Sequence, residues 1–137
     1  MFNKLIQLPP MKELKVLLIA LLLCPLLNAQ GQESKSVVVM NQYWAKDGMI
    51  EEVYAHRLYA SQVRKSLGLK VGRVLLNTEQ DADAAHVIWE CEYSSIEARE
   101  KDTKLLMDSG QFDEVMEKMG TLIDKFERTI YEVSTSN

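Results

Sequence analysis

From Val37 to Val133 the apolar residues switch repeatedly between two periods, and the order of those switches constrains the fold more than any motif in the chain. Val37-Val38-Val39-Met40-Asn41-Gln42-Tyr43-Trp44 is rich in the β-branched and aromatic residues that suit a pleated surface. After the Lys46-Asp47-Gly48 turn, with Asp47 as a capping residue, Met49 to Leu67 takes helical spacing. Its stripe is Val53, His56, Ala60, Val63 and Leu67, widened by Ile50, Tyr54 and Leu58. Gly68 then stands where a left-handed residue ends a helix. Arg73 to Glu79 and His86 to Tyr93 read as an antiparallel hairpin across an acidic turn. Ser94 and Glu97 have capping-box spacing and open a second helical region, which Asp108-Ser109-Gly110 interrupts. Its later part places Phe112, Val115, Met116, Met119, Leu122, Ile123 and Phe126 on one helical face, and Arg128 to Val133 reads as a last strand.

The order β-α-β-β-α-β predicts an α+β, ferredoxin-like unit: a four-stranded antiparallel sheet with its helices on one face. In the strand from His86, Val87, Trp89, Cys91 and Tyr93 share one side, against His86, Ile88, Glu90 and Glu92 on the other. The first strand is largely apolar on both sides. A sheet with one face in water should alternate cleanly. The second face is therefore expected to meet something apolar, most simply the sheet of a second copy.

Ahead of this domain, Lys12 and Lys15 precede an apolar run from Val16 to Leu27, followed by Asn28-Ala29-Gln30. Basic, apolar and small residues in that order read as a secretory leader. A spanning helix needs about 20 apolar residues, more than this run offers. Residues 1–29 are thus expected to be a signal peptide, with Met11 as a natural initiator. Residues 30–36 would be a polar tether, 37–134 the domain and 135–137 a tail. The expected location is exported, periplasmic or secreted, with no stable membrane anchor once the leader is removed.

The whole chain carries a net charge of −4, and the leader is basic, so the mature part is more acidic still. Scattered basic residues on an acidic domain do not attract phosphate backbones, which argues against nucleic acid as a partner. Of the two cysteines, Cys24 leaves with the leader and Cys91 remains in an apolar strand. The domain must then be held by packing rather than by an internal disulfide.

The strand ending Tyr43-Trp44-Ala45, the Lys46-Asp47-Gly48 turn, the helix ending Leu67-Gly68 and the Trp89 strand resemble the dimeric α+β barrel superfamily. The Ser95-Ile96-Glu97-Ala98 helix start and the Asp108-Ser109-Gly110-Gln111-Phe112 break share that resemblance. The nearest likeness is to NIPSNAP-like, antibiotic-biosynthesis-monooxygenase-like and EthD-like domains. The resemblance implies pairing of two ferredoxin-like units into a homodimeric barrel. It does not imply one chemistry, because the superfamily includes oxygenases, haem degraders, isomerases and members without known activity. Haem-degrading members use an Asn on the first strand with a Trp and a His from the second helical region. Asn41 resembles that Asn, but Ser95 to Phe126 contains neither Trp nor His. No cofactor is therefore expected.

His56 is a candidate general base for a ligand between helix and sheet, with Asn41 positioning an oxygen; its alternative is a hydrogen-bonded packing residue. Trp44, Tyr54 and Trp89 are candidates to line a ligand pocket by stacking, and core packing accounts for them equally. His86 near Asp81 and Asp83 has the residue types of a metal site, but a hairpin turn offers no fixed geometry. No metal is expected. Arg73, Glu90, Glu92, Arg128 and Glu132 lie on strands and read as charges paired at a dimer contact. The reading that results is an exported homodimer of unassigned activity that binds a small apolar or aromatic ligand. Its alternative is a cofactor-independent monooxygenase or isomerase acting on an aromatic or polyketide-like molecule.

Overall fold

The structure, a computed structural model, describes residues 35–79, 81 and 83–134. The leader, the cut after Ala29 and the final three residues lie outside the described residues. Strand β1 (Val37–Ala45) is followed by helix α1 (Ile50–Ser66), the hairpin β2 (Arg73–Leu76) and β3 (Val87–Tyr93), helices α2 (Ile96–Asp108) and α3 (Asp113–Leu122), and β4 (Ile123–Glu132). The strands form one antiparallel sheet in the order β2-β3-β1-β4. This is the ferredoxin-like α+β arrangement that the periodicity implies. No helix among the described residues is long and apolar enough to cross a membrane.

The sheet has one buried face. Alternate β1 residues Val37, Val39, Asn41, Tyr43 and Ala45 are buried, as are Val87, Trp89, Cys91 and Tyr93 of β3. Directly paired residues of an antiparallel ladder point the same way. Asn41 therefore faces inward with Trp89 on one side and Arg128 on the other, and Tyr43 with Val87 and Phe126. Val53 and Ala60 of α1 with Met119 and Leu122 of α3 cover this face. Burying each such apolar side chain contributes roughly 1.5–3 kcal/mol for the larger residues. The opposite face carries Val38, Met40, Gln42 and Trp44 of β1, all only half-buried.

Four local expectations need correction. Ser95, not Ser94, caps α2: its hydroxyl accepts the Ala98 N–H at 3.1 Å, and its extended backbone is that of a cap residue. Asp47 caps nothing, because α1 starts at Ile50 and Met49 occupies its N-cap without a side-chain bond. Strand β2 stops at Leu76, short of Glu79, where the Asn77 Oδ1 turns the chain by accepting the Glu79 N–H at 2.9 Å. Helix α3 ends at Leu122, so Ile123 and Phe126 belong to β4. The pairing shifts there, with Ala45 opposite Ile123 but Trp44 opposite Lys125. This bulge inserts one residue into β4. Ile123 and Phe126, three apart, thus face the same side as Ala45 and Tyr43, two apart, and imitate helical spacing.

Candidate functional site

Between the sheet and the α2–α3 pair lies a cavity of about 410 Å³. Val39, Asn41, Tyr43, Trp89 and Tyr93 form its floor, while Leu106, Phe112, Val115, Met116 and Met119 supply an apolar wall. Its exposed rim includes Met107, Met116 and Phe126, each more than two-fifths accessible. The break after Asp108 creates this wall, since it turns α3 so that its Val115 and Met119 face the sheet while α2 contributes Leu106. A volume of this size, largely apolar with a few polar groups, is what small-molecule sites have.

The polar groups are mostly arginines. Arg57, Arg64, Arg99 and Arg128 line the cavity, and among the described residues no aspartate or glutamate does. Arg57 and Arg64 are each 4% exposed and project from α1 at the same helical spacing as Val53 and Ala60. Both guanidinium groups lie against the Trp89 ring, at 5.0 and 5.1 Å from its centroid. Cation–π attraction there offsets part of the cost of burying them.

Arg64 is fully engaged. It donates to the Lys70 carbonyl at 2.6 Å, to the Tyr93 hydroxyl at 3.0 Å and to the Asp102 carboxylate. Asp102 also accepts the Tyr93 hydroxyl at 2.9 Å and the Lys70 N–H at 3.1 Å. Burial holds the Tyr93 phenol well above its ordinary pKa, so it stays a neutral donor to Asp102. Arg128 donates to Asn41 Oδ1 at 2.8 Å. A guanidinium has no acceptor, so the carbonyl of the Asn41 amide must face Arg128 and its amino group remains a donor. Desolvation, followed by repulsion from Arg99, pushes the Arg128 pKa down.

The sequence candidates separate into two groups. Asn41 and Trp89 line the cavity; His56, Tyr54 and Trp44 do not. The His56 imidazole Nε2 lies 2.9 Å from the Val115 carbonyl and so ties α1 to α3. Because a carbonyl only accepts, the proton of a neutral imidazole must sit on Nε2 in this contact. Tyr54 packs against the core from α1. Trp44 lies on the opposite face of the sheet, beside Leu75 and Ile88, where its Nε1 donates to the Asp83 carbonyl at 3.2 Å. His86 Nδ1 accepts the Ala45 N–H at 2.9 Å, just past Tyr43 and Val87, where the β1–β3 ladder ends. Arg73 and Glu90 pair at 2.8 Å on the open face. Arg128, grouped with them on sequence, instead faces the helices.

Sequence reasoning missed Arg57, Arg64 and Arg99 as site residues. The signal was present in α1: positions 53, 57, 60, 61 and 64 make one unbroken stripe. It was hidden by the ordinary assumption that arginine belongs to the wet face.

Several solved structures share this fold. A NIPSNAP family protein from Agrobacterium tumefaciens superposes with a TM-score of 0.57 at 19% identity, over 74% of this chain and 88% of that one. A second, of unknown function and from the same organism, gives 0.56 at 21% identity over 75% and 91%. A dimeric ferredoxin-like protein from an uncultured marine organism gives 0.52 at 14% identity over 77% and 92%. No family model and no curated protein matches the chain. The chain accordingly shares the ferredoxin-like α+β fold of these NIPSNAP family proteins.

Proposed function

We propose that this is an exported homodimeric barrel protein that binds a small molecule with an apolar or aromatic body in the cavity between sheet and helices. The observation that carries this reading is the cavity itself. It combines a wall of methionine, leucine, valine and phenylalanine with a floor of aromatic rings and a few buried polar groups. Methionine side chains adapt to varied apolar shapes, which suits a binding surface. Binding without turnover is favoured over an oxygenase or isomerase reaction by the position of His56. Its ring is held against the Val115 carbonyl outside the cavity lining, away from Asn41.

Dimerisation is supported by the open sheet face, where Met40, Trp44, Leu75, Ile88 and Tyr131 are exposed or half-buried. An apolar face of that kind is an association surface. One neighbour of the same fold is itself described as dimeric. Export is supported by the leader-like order of residues 12–30.

The binding reading is tested by calorimetric titration of the purified protein with neutral and anionic acyl and phenylpropanoid compounds. Saturable binding of at least one compound, weakened tenfold or more in Met116→Trp, is the expected result. Met116 stands on the exposed rim, so a larger ring there narrows the cavity at little cost to the fold. No binding up to millimolar concentration, or binding indifferent to Met116→Trp, would refute it.

A further inference from the structure

The cavity holds more positive charge than its own residues neutralise. Of the four arginines lining it, Arg64 is paired with Asp102. Arg57, Arg99 and Arg128 form no ion pair among the described residues. Arg57 is the sharpest case. It is 4% exposed, its Nε has no hydrogen-bond partner, its bond to Ser61 Oγ is a long 3.5 Å, and the Tyr43 phenol is its other polar neighbour. A buried guanidinium with a bare N–H and no counter-charge is costly, and natural structures rarely keep one without a use. Burial pushes its pKa below the ordinary value, with the Tyr43 phenol opposing that shift and Arg64 adding to it.

Arg128 reaches the cavity from its exposed side, on the edge strand β4. Its one side-chain bond goes to a neutral amide, and Arg99 repels it. Arg57 lies against the Trp89 ring, and Trp89 and Arg128 flank Asn41 in the ladder, so both guanidinium groups border the part of the floor around Asn41. Arg99 sits in the first turn of α2, where the helix dipole disfavours a cation. The domain tolerates all three around a cavity whose remaining walls are apolar. The amino group of Asn41 adds a neutral donor to the same floor.

We propose that the ligand of this cavity carries a carboxylate on its apolar or aromatic body, and that Arg57 and Arg128 hold that carboxylate. The planar fork of a guanidinium matches the two oxygens of a carboxylate, and such charge-assisted bonds are the strong ones. Arg57 gives the deep contact, where water is excluded. Arg128, oriented by Asn41, gives a second contact nearer the rim. The apolar body lies against Leu106, Met116 and Met119. This inference rests on the small-molecule reading above and adds to it the charge of the ligand.

Matched acids and alcohols separate the two statements. Octanoate and octan-1-ol share one body, as do trans-cinnamate and cinnamyl alcohol; each pair is titrated calorimetrically into the protein at fixed ionic strength. In at least one pair the acid is expected to bind tighter by about tenfold or more, which corresponds to ~1.4 kcal/mol. Arg57→Gln should reduce that acid's affinity by an order of magnitude and leave the alcohol's unchanged. Arg128→Gln, on the exposed edge strand, does not depend on the core tolerating a change and should reduce acid binding several-fold. Equal affinities of acid and alcohol in the unmodified protein would overturn the carboxylate assignment while leaving the binding reading intact. So would variants that weaken both members of a pair alike. Failure of every acid and every alcohol to bind would overturn the binding reading itself, and this inference with it.

Discussion

Asp102 joins three segments that are distant in the chain. Its carboxylate takes Arg64 from α1, the Lys70 N–H from the loop after α1, and the Tyr93 hydroxyl from the end of β3. Arg64 and Asp102 are 5% and 11% exposed at their side chains. Removing one charge from such a pair leaves the other buried and uncompensated. Asp102→Asn should therefore cost about 3 kcal/mol in chemical denaturation, with an unchanged denaturant slope. A loss below about 1 kcal/mol would mean that water reaches Arg64. Nearby, Cys91 and Tyr93 are both held above their ordinary values, 9.0 and 10.0, chiefly by desolvation. The unfolded chain then ionises first as pH rises. Their contribution to stability is whole below about pH 9 and is lost upward from there. Thermal melts should show that alkaline decline, and Tyr93→Phe should flatten its upper part. Gly72 offers a steric test: its φ is +69°, and an added Cβ would lie 2.5 Å from the Glu90 carbonyl oxygen and 2.7 Å from Trp89 Nε1. Gly72→Ala should cost about 2–3 kcal/mol, from backbone strain and displacement of the Trp89 ring.

Among the elements, the β-branched and aromatic run of β1 and the partial alternation of β3 made the sheet legible in the sequence. The helix break after Asp108 was legible for a similar reason, since Ser109-Gly110 cannot continue a helix that must turn. Two elements were misread where physics produced a false match. The bulge in β4 gave Ile123 and Phe126 helical spacing, and the stripe on α1 was assigned to His56 and Val63 instead of Arg57 and Arg64. In the second case Val53 and Ala60 were rightly placed on the buried face, but the rest of that face is arginine and serine. Asn41 and Trp89 could be nominated from sequence because each lies on the covered face of a strand. Trp44 differs from Asn41 by an odd number of residues, and that alone sends it to the other face. Helix α3 carries Gly120 with no atom within 4 Å of where a Cβ would stand. Gly120→Ala should stabilise the protein by about 0.5–1 kcal/mol through helix propensity, read as a rise in Tm.

At the scale of the whole molecule, the open sheet face lies on one side and the cavity on the other. Met40→Lys and Trp44→Glu, both on the open face, should shift the mass measured by light scattering from dimer toward monomer. Lys101→Glu, on the exposed surface of α2, should leave it unchanged. Mass spectrometry of protein expressed with its leader in a secretion-competent bacterium should find a mature form beginning near Gln30. Recovery of full-length protein alone would count against export. The methionines are placed to report on the cavity. Met107, Met116 and Met119 line it, whereas Met40 lies on the open sheet face and Met49 precedes α1. The decisive measurement is a methyl NMR titration of protein labelled at its methionine methyl groups, with octanoate as the ligand. Saturable shifts of Met107, Met116 and Met119, with Met40 and Met49 unmoved, are what the account predicts. Shifts confined to Met40, or none on any methyl at millimolar octanoate, would contradict it.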